Sequence, residues 1–335
     1  MGARVYGIVV KTYNYIIRWK ILNLNTKICR KIRNMLMHNI CVEKRASFGR
    51  TNPDKLFYVI RDPKERAGLF SVHNYVVHYL KKCEEINAIP IIDMQHYPNE
   101  VIADDRYVGK RNMWEYFFRQ TYDYTLEEIY KSKNVIMGSS ADPASLGEIY
   151  DPKEIFASHF LLEKYVLLND DMMDKCQQTF IDFHMDEGKT SAVICRGTDY
   201  IGTRPEGHSI MPSVDQIIAT INEKWEEWGA FSRIYLATED AAIFQTLKNV
   251  YGDRIVSYQQ MRFQETGDRV LSQIIKDKKE ENFKHKLSEE YFISIWLVSQ
   301  CNALIAPIVS STLAALRMKR GGYESTYIFM LGNYQ

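Results

Sequence analysis

The chain has 335 residues, 46% hydrophobic and 25% charged, with a formal net charge of +1. This is an ordinary globular composition, long enough for two domains of about 150 residues each. The near-neutral balance argues against general nucleic-acid binding. Six cysteines, none in a Cys-x-x-Cys pair, suggest neither a zinc site nor a dense disulfide framework. With no Asn-x-Ser/Thr sequon, a cytoplasmic setting is expected, in a bacterium.

Charge is distributed unevenly. The first 34 residues carry eight basic side chains, from Arg4 to Arg33, and no acid. Within them Tyr6, Val9, Val10, Tyr13, Ile16 and Ile17 recur at three- and four-residue steps, opposite Lys11, Asn14 and Arg18, the pattern of an amphipathic helix. No apolar run approaches the ~18 residues of a membrane span, and no signal-peptide core is seen. Two readings stand: an interfacial helix of residues 1–34 on anionic lipid, making the protein peripheral at the inner face of the cell membrane, or a helix packed on its own domain.

The expected organisation is a basic segment over 1–45, an N-terminal α/β domain over 46–175 and a C-terminal α/β domain over 176–335. Residues 46–56 read as a linker. A strand over 56–60, a helix over 72–83 and a strand over 88–93 make one βαβ unit. The turn between the first two, containing Gly68 and His73, brings glycine flexibility and helix-start N–H groups to a sheet's carboxyl edge. Asp93, Gln95 and His96 close the second strand, and Trp114 and Glu115 follow in a long connection. Polar groups beside aromatics suit sugar binding, while burial of the aromatics in a core is the alternative. Thr125 to Glu128 has capping-box spacing for a helix start, and 134–137 reads as a strand. Another helical stretch opens at Asp151-Pro152, and residues 164–189 carry the chain across to the second domain.

That domain repeats the rhythm. Strands are expected over 191–195, 232–238, 254–258, 303–306 and 327–331, with helices over 213–228, 240–251, 289–300 and 311–320 and a charged loop through about Lys286. Alternation of this kind favours parallel, doubly wound sheets. The strand over 191–195 is short and apolar and runs into Arg196, whose guanidinium suits a phosphate bidentately at a strand's carboxyl end. Glu239 at the next strand end can bond ribose hydroxyls or a base edge; Asp240 beside it can do the same or cap a helix. Ser310, Ser311 and Thr312 open a helix and either hold phosphate oxygens or cap it. There is no Asp-x-Asp motif and no metal-ligand spacing of histidines, so no metal is expected.

Arg196-Gly197-Thr198-Asp199-Tyr200-Ile201-Gly202-Thr203, Leu236-Ala237-Thr238-Glu239-Asp240, Ser299-Gln300 and Ser310-Ser311 resemble, in order and spacing, the motifs of a known enzyme group. These are the α-1,6-fucosyltransferases of core N-glycan fucosylation and their rhizobial nodulation-factor relatives, and the resemblance covers residues 190–320. The family pattern His-x-Arg-Arg-Thr-Asp-Lys-x-Gly-Thr-Glu is met with Ile194 for its His, Gly197 for its second Arg, Tyr200 for its Lys and Arg204 for its Glu. The resemblance implies a GT-B-like architecture, two Rossmann-like domains facing across a cleft, and metal-independent inverting transfer from a nucleotide sugar such as GDP-fucose. It implies a donor site of Arg196, Thr198, Glu239, Asp240, Ser310, Ser311 and Thr312, with the loop of Gly68 and His73. Asp199 would orient Arg196 or assist the acceptor. With Arg204 in the family's Glu position, Glu206 is the candidate base and His208 stands behind it. The family Asp that reads guanine aligns with Ser294, for which Glu290 is a candidate substitute. The expected acceptor is a hydroxyl of a bacterial capsule-type polysaccharide or lipid-linked oligosaccharide. The alternatives are another nucleotide sugar, or a catalytically silent sugar-nucleotide or glycan-binding protein.

Overall fold

The structure, a computed structural model, describes residues 41–62, 68–99, 101–102, 110–140, 150–229, 231–264 and 269–335. The expected basic amphipathic helix lies outside these residues, as do the side chains of Thr198 and Asp199.

Two compact units divide the chain. The first holds the described residues before 63, 75–140 and 163–169; the second holds 68–74, 150–162 and 170 onward. In the first, β1 (Lys44–Ala46), β2 (Phe57–Ile60), β3 (Ile89–Ile92) and β4 (Val135–Met137) form a sheet in the order β1-β4-β2-β3. β2 runs parallel to both β3 and β4, and β1 lies antiparallel on the edge. The expected linker over 46–56 therefore starts with the last residue of a strand. Three residues, two of them charged, are too short a pattern to read. Phe57, Val59, Ile91, Val135 and Met137 share one core cluster. Thr125 closes the capping box that its spacing predicts, accepting from the Glu128 N–H while Glu128 accepts from the Thr125 N–H.

The second unit carries β5 (Thr190–Cys195), β6 (Arg233–Thr238), β7 (Ile255–Val256), β8 (Ala303–Pro307) and β9 (Ser325–Phe329), parallel throughout in the order β7-β6-β5-β8-β9. The chain runs outward from β5 through β6 to β7, then returns to the other side of β5 for β8 and β9. That reversal makes the carboxyl ends of β5 and β8 a topological switch point, where open α/β sheets hold ligands.

Both faces of this sheet are covered. On one, Val193, Cys195, Ile234 and Leu236 meet Ile217 and Ile221 of helix Val214–Trp228 and Ile243 and Leu247 of helix Ala241–Tyr251. On the other, the alternate residue Tyr235 donates from its hydroxyl to Ser294 Oγ at 3.3 Å, and Ser294 lies on helix Phe283–Gln300. The expected α/β class and doubly wound second sheet are what the chain forms. Two differences from the expected elements are local. The stretch read as a charged loop contains helix Leu271–Asp277 and the first turn of Phe283–Gln300. Their buried positions, Leu271, Ile275 and Lys284, are too sparse and too mixed to announce a helical face.

Candidate functional site

β5 ends at Cys195, and Arg196 follows at the carboxyl edge of the second sheet. Its guanidinium carbon lies 4.2 Å from the centroid of the Tyr200 ring, one turn on in the short helix Thr198–Thr203. Between them, the Gly197 N–H donates to Glu239 Oε1 at 3.2 Å. A Cβ at position 197 would stand 2.3 Å from Asp240 Oδ2 and 2.6 Å from Ile243 Cδ1. A side chain at this position would require Asp240 and Ile243 to shift, and Asp240 holds the start of the next helix.

Glu239 and Asp240 follow β6, and the structure separates their roles. Asp240 Oδ1 accepts from the N–H groups of Ala242 and Ile243 at 2.8 and 2.9 Å, so Asp240 caps the helix Ala241–Tyr251. Glu239 instead reaches across to the Arg196-Gly197 turn. Burial pushes the Cys195 thiol well above its ordinary range, with the charges of Glu239 and Asp240 adding to the shift.

After β8, helix Ser310–Met318 begins behind Val309 with no side-chain cap. The hydroxyls of Ser310 and Ser311 are therefore not used for capping, the alternative their positions allowed. Thr312 is 0% exposed, so solvent does not reach its hydroxyl, whereas Ser310 is half-buried. Tyr291 of helix Phe283–Gln300 ties the two edges together. Burial raises its phenol above the ordinary range, the Arg196 charge and Ser311 pull it back, and Glu239 and Tyr200 add to the rise. The Arg196 turn, Glu239, Ser311 and Tyr291 thus meet at the switch point.

A buried bracket stands behind the Ser310 turn. Gly68, at φ +93° where glycine is the natural occupant, precedes helix Leu69–Glu85. Its first turn brings Phe70 to Tyr291 at 4.9 Å between ring centroids. Asn74 Nδ2 donates to the Ser310 carbonyl at 2.8 Å, and Arg317 Nη1 donates to Asn74 Oδ1 at 3.1 Å. The Tyr150 hydroxyl donates to the Val309 carbonyl at 2.9 Å. Arg317 is 7% exposed, and burial pushes its pKa down to about 10.

His73 is 1% exposed and lies inside this bracket, away from the surface turn expected of it. Helix formation from Leu69 onward turned the residue inward, a placement that a single helical period does not reveal. Burial, with the Arg317 charge second, pushes its imidazole down to about 3 from the ordinary 6.5. Unfolded chains take up a proton near pH 6.5 that the folded protein refuses until about pH 3. Stability from this group is therefore full above pH 6.5 and is lost as pH falls toward 3. We expect urea unfolding to show about 2 kcal/mol more loss between pH 6.5 and about pH 4.5 in the wild type than in His73→Gln; equal losses in the two proteins would contradict the assignment.

The expected base region is a loop after helix Thr198–Thr203. Arg204 is exposed and turns the chain in a left-handed conformation at φ 43°. Glu206 is exposed, and its carboxylate makes no hydrogen bond or ion pair with the described residues; only its carbonyl is engaged, 3.1 Å from His208 Nδ1. Glu290 accepts from the Met261 N–H at 2.9 Å and so holds the loop after β7. Ser294 is buried under β6.

In the first unit, the residues expected to bind acceptor divide. Trp114 is 2% exposed, stacks on Phe118 at 4.2 Å and donates its indole N–H to the Arg119 carbonyl. It is core, because the 3-10 helix Met113–Tyr116 turns it inward. Asp93 is fully buried and accepts from the backbone N–H groups of Gln95 and His96, from the Tyr130 hydroxyl at 2.5 Å and from His96 Nδ1 at 2.9 Å. Burial pushes the Asp93 carboxyl up, but His96 and Tyr130 outweigh it and hold it below its ordinary range. Burial likewise pushes the His96 imidazole down, and Asp93 outweighs it to raise its pKa. Glu115 is exposed and accepts from Asn112 Nδ2 and Gln120 Nε2 at 3.1 and 3.4 Å. Gln95, His96 and Glu115 thus remain within reach of solvent, with Asp93 as their anchor.

Tyr291, Asn74, Tyr150 and Arg317 escape the sequence reading. Only Arg317 left a signal, as a lone charge among Leu313, Ala314, Ala315, Leu316 and Met318. Among the described residues, no helix is long and apolar enough to cross a membrane, and no group of His, Cys, Asp and Glu is placed to hold a metal ion.

No protein-family model matches the chain, and no curated protein matches it. Solved structures similar to it include the NodZ alpha-1,6-fucosyltransferase soaked with GDP-fucose, at 12% identity over 83% of this chain and 96% of that one, with a TM-score of 0.47. A second is the fucosyltransferase NodZ from Bradyrhizobium, at 12% identity over 84% of this chain and 96% of that one, with a TM-score of 0.46. A third is a mutant of Arabidopsis thaliana FUT1 in complex with GDP, at 10% identity over 83% and 71% with a TM-score of 0.48.

Proposed function

We propose that the protein is a metal-independent inverting glycosyltransferase that moves L-fucose from GDP-fucose to a hydroxyl of a bacterial surface polysaccharide or lipid-linked oligosaccharide. One observation carries the reading. The segments that resemble the fucosyltransferase motifs, far apart in sequence, end at adjacent strands β6, β5 and β8, at the switch point of a parallel sheet. Arg196 and the uncapped first turn of Ser310–Met318 supply a cation and N–H donors for a diphosphate. Glu239 supplies a carboxylate for ribose hydroxyls. As the nucleotide diphosphate departs, negative charge grows at its oxygens, so the Arg196 contact strengthens in the transition state.

A base takes the acceptor proton as the anomeric carbon passes through an oxocarbenium-like state, and an α-L-fucoside results from the β-linked donor. Glu206 is the proposed base, Asp199 the proposed partner of Arg196, and Gln95, His96 and Glu115, with Asp93 as their buried anchor, the proposed acceptor side. The protein would then work in the cytoplasm, with residues 1–34 bringing it to the inner membrane face. The solvent-facing Glu206, without a partner among the described residues to aim it, favours a second reading: a sugar-nucleotide-binding protein without turnover. Calorimetric titration with GDP, UDP and dTDP in the absence of metal tests both, followed by GDP-fucose hydrolysis or transfer to candidate glycans. GDP binding with turnover supports the transferase, GDP binding without turnover supports the silent protein, and binding of UDP or dTDP alone overturns the donor.

A further inference from the structure

We propose that Tyr200 is the positioning residue of Arg196, locked in place by the segment 332–334 near the end of the chain. The proposal deepens the donor-site reading and rests on it. The Arg196 guanidinium lies over the Tyr200 ring at 4.2 Å, well inside cation–π range. Tyr200 in turn meets the His208 ring edge-on, with centroids 5.4 Å apart and planes at 78°.

His208 belongs to a loop that the chain's last residues hold. Gly207 N–H donates to the Tyr334 carbonyl at 3.0 Å, Tyr334 N–H to the His208 carbonyl at 2.8 Å, and Ile210 N–H to the Gly332 carbonyl at 2.9 Å, with an antiparallel bridge between Ser209 and Asn333. These backbone bonds fix His208, His208 supports Tyr200, and the face of Tyr200 orients the guanidinium. An arginine side chain otherwise loses rotamer freedom each time it meets a phosphate; a ring that holds the fork in advance removes that cost from binding. In the family pattern a lysine stands at position 200 and adds charge, whereas here tyrosine adds orientation.

The test compares wild type with Tyr200→Phe, Tyr200→Leu and Tyr334→Pro. The first readout is modification of individual arginines by phenylglyoxal, followed by peptide mass spectrometry, with Arg233 and Arg254 as references in the same molecule. Tyr200→Leu should raise Arg196 reactivity about threefold to tenfold relative to the references, Tyr200→Phe should leave it unchanged, and Tyr334→Pro, which removes one strap hydrogen bond, should raise it less. The second readout is GDP affinity, which Tyr200→Leu should weaken about fivefold to thirtyfold while Tyr200→Phe keeps it. Unchanged Arg196 reactivity in Tyr200→Leu, a uniform rise at all three arginines, or full GDP affinity in that variant overturns the proposal. If the wild type binds no nucleotide, the donor-site reading fails separately, and the reactivity comparison still decides whether Tyr200 positions Arg196.

Discussion

Arg196→Ala should lower the transfer rate about a hundredfold or more, the scale of removing one donor from a preorganised site for developing negative charge. The structure gives two reasons to expect the upper part of that range. Gly197 beside it supplies no second guanidinium to compensate, and a side chain there would displace Asp240 and Ile243. Arg196 is also oriented by the Tyr200 ring, so its loss removes a placed guanidinium rather than a mobile charge. Steady-state kinetics should show the loss in kcat as well as kcat/KM, since in the proposed transfer the contact tightens as the diphosphate leaves. Arg196→Lys should recover only part of it, because an ammonium does not offer the bidentate fork. A rate within a factor of about three of wild type in Arg196→Ala would remove the donor site from the carboxyl end of β5.

Asn74→Ala should destabilise the protein by about 2 to 4 kcal/mol. Asn74 answers two groups at once, accepting from Arg317 Nη1 and donating to the Ser310 carbonyl. Its removal leaves a buried guanidinium and a half-buried carbonyl short of a partner. Arg317→Met should cost less than Asn74→Ala, because it removes the charge instead of stranding it. In the double variant, Arg317→Met should return part of the Asn74→Ala loss, a coupling that urea unfolding of the four proteins measures. The Ser310 turn depends on the same bond, so Asn74→Ala should also weaken GDP binding. Stability of Asn74→Ala within about 0.5 kcal/mol of wild type would show that the bracket carries no load.

The local parts of the fold were legible for local reasons. Buried parallel strands are apolar runs bounded by polar turns, and Thr190–Cys195, Arg233–Thr238 and Ala303–Pro307 are found where such runs predict them. Capping boxes need only the right residues three apart, so Thr125 and Ser213 open their helices as expected. Motif turns at Arg196, Glu239 and Ser310 also lie where their spacing puts them, each just past a strand. Side-chain direction was less legible. Trp114 and His73 carry polar atoms beside apolar bodies, and nothing in their neighbours' order says which way a 3-10 turn or a first helical turn will point them. Asp240 was open between two roles, and only the positions of the Ala242 and Ile243 N–H groups closed the choice.

By itself the sequence determined most of the elements and the strand-end positions of Arg196, Glu239 and Ser310, and it showed the departures at Gly197, Tyr200 and Arg204. The elements and strand ends follow from contacts between residues a few positions apart. The tertiary structure decided which ends meet. β8 pairs with β5 although more than a hundred residues separate Cys195 from Ala303, and that pairing brings the Ser310 turn beside Arg196. It also enlisted Tyr291 from a long helix, Asn74 from the second turn of another, and Gly332–Tyr334 from the last residues of the chain. Such pairings are chosen by the burial and hydrogen bonding of whole elements against one another, and that preference leaves no mark on any local stretch of sequence.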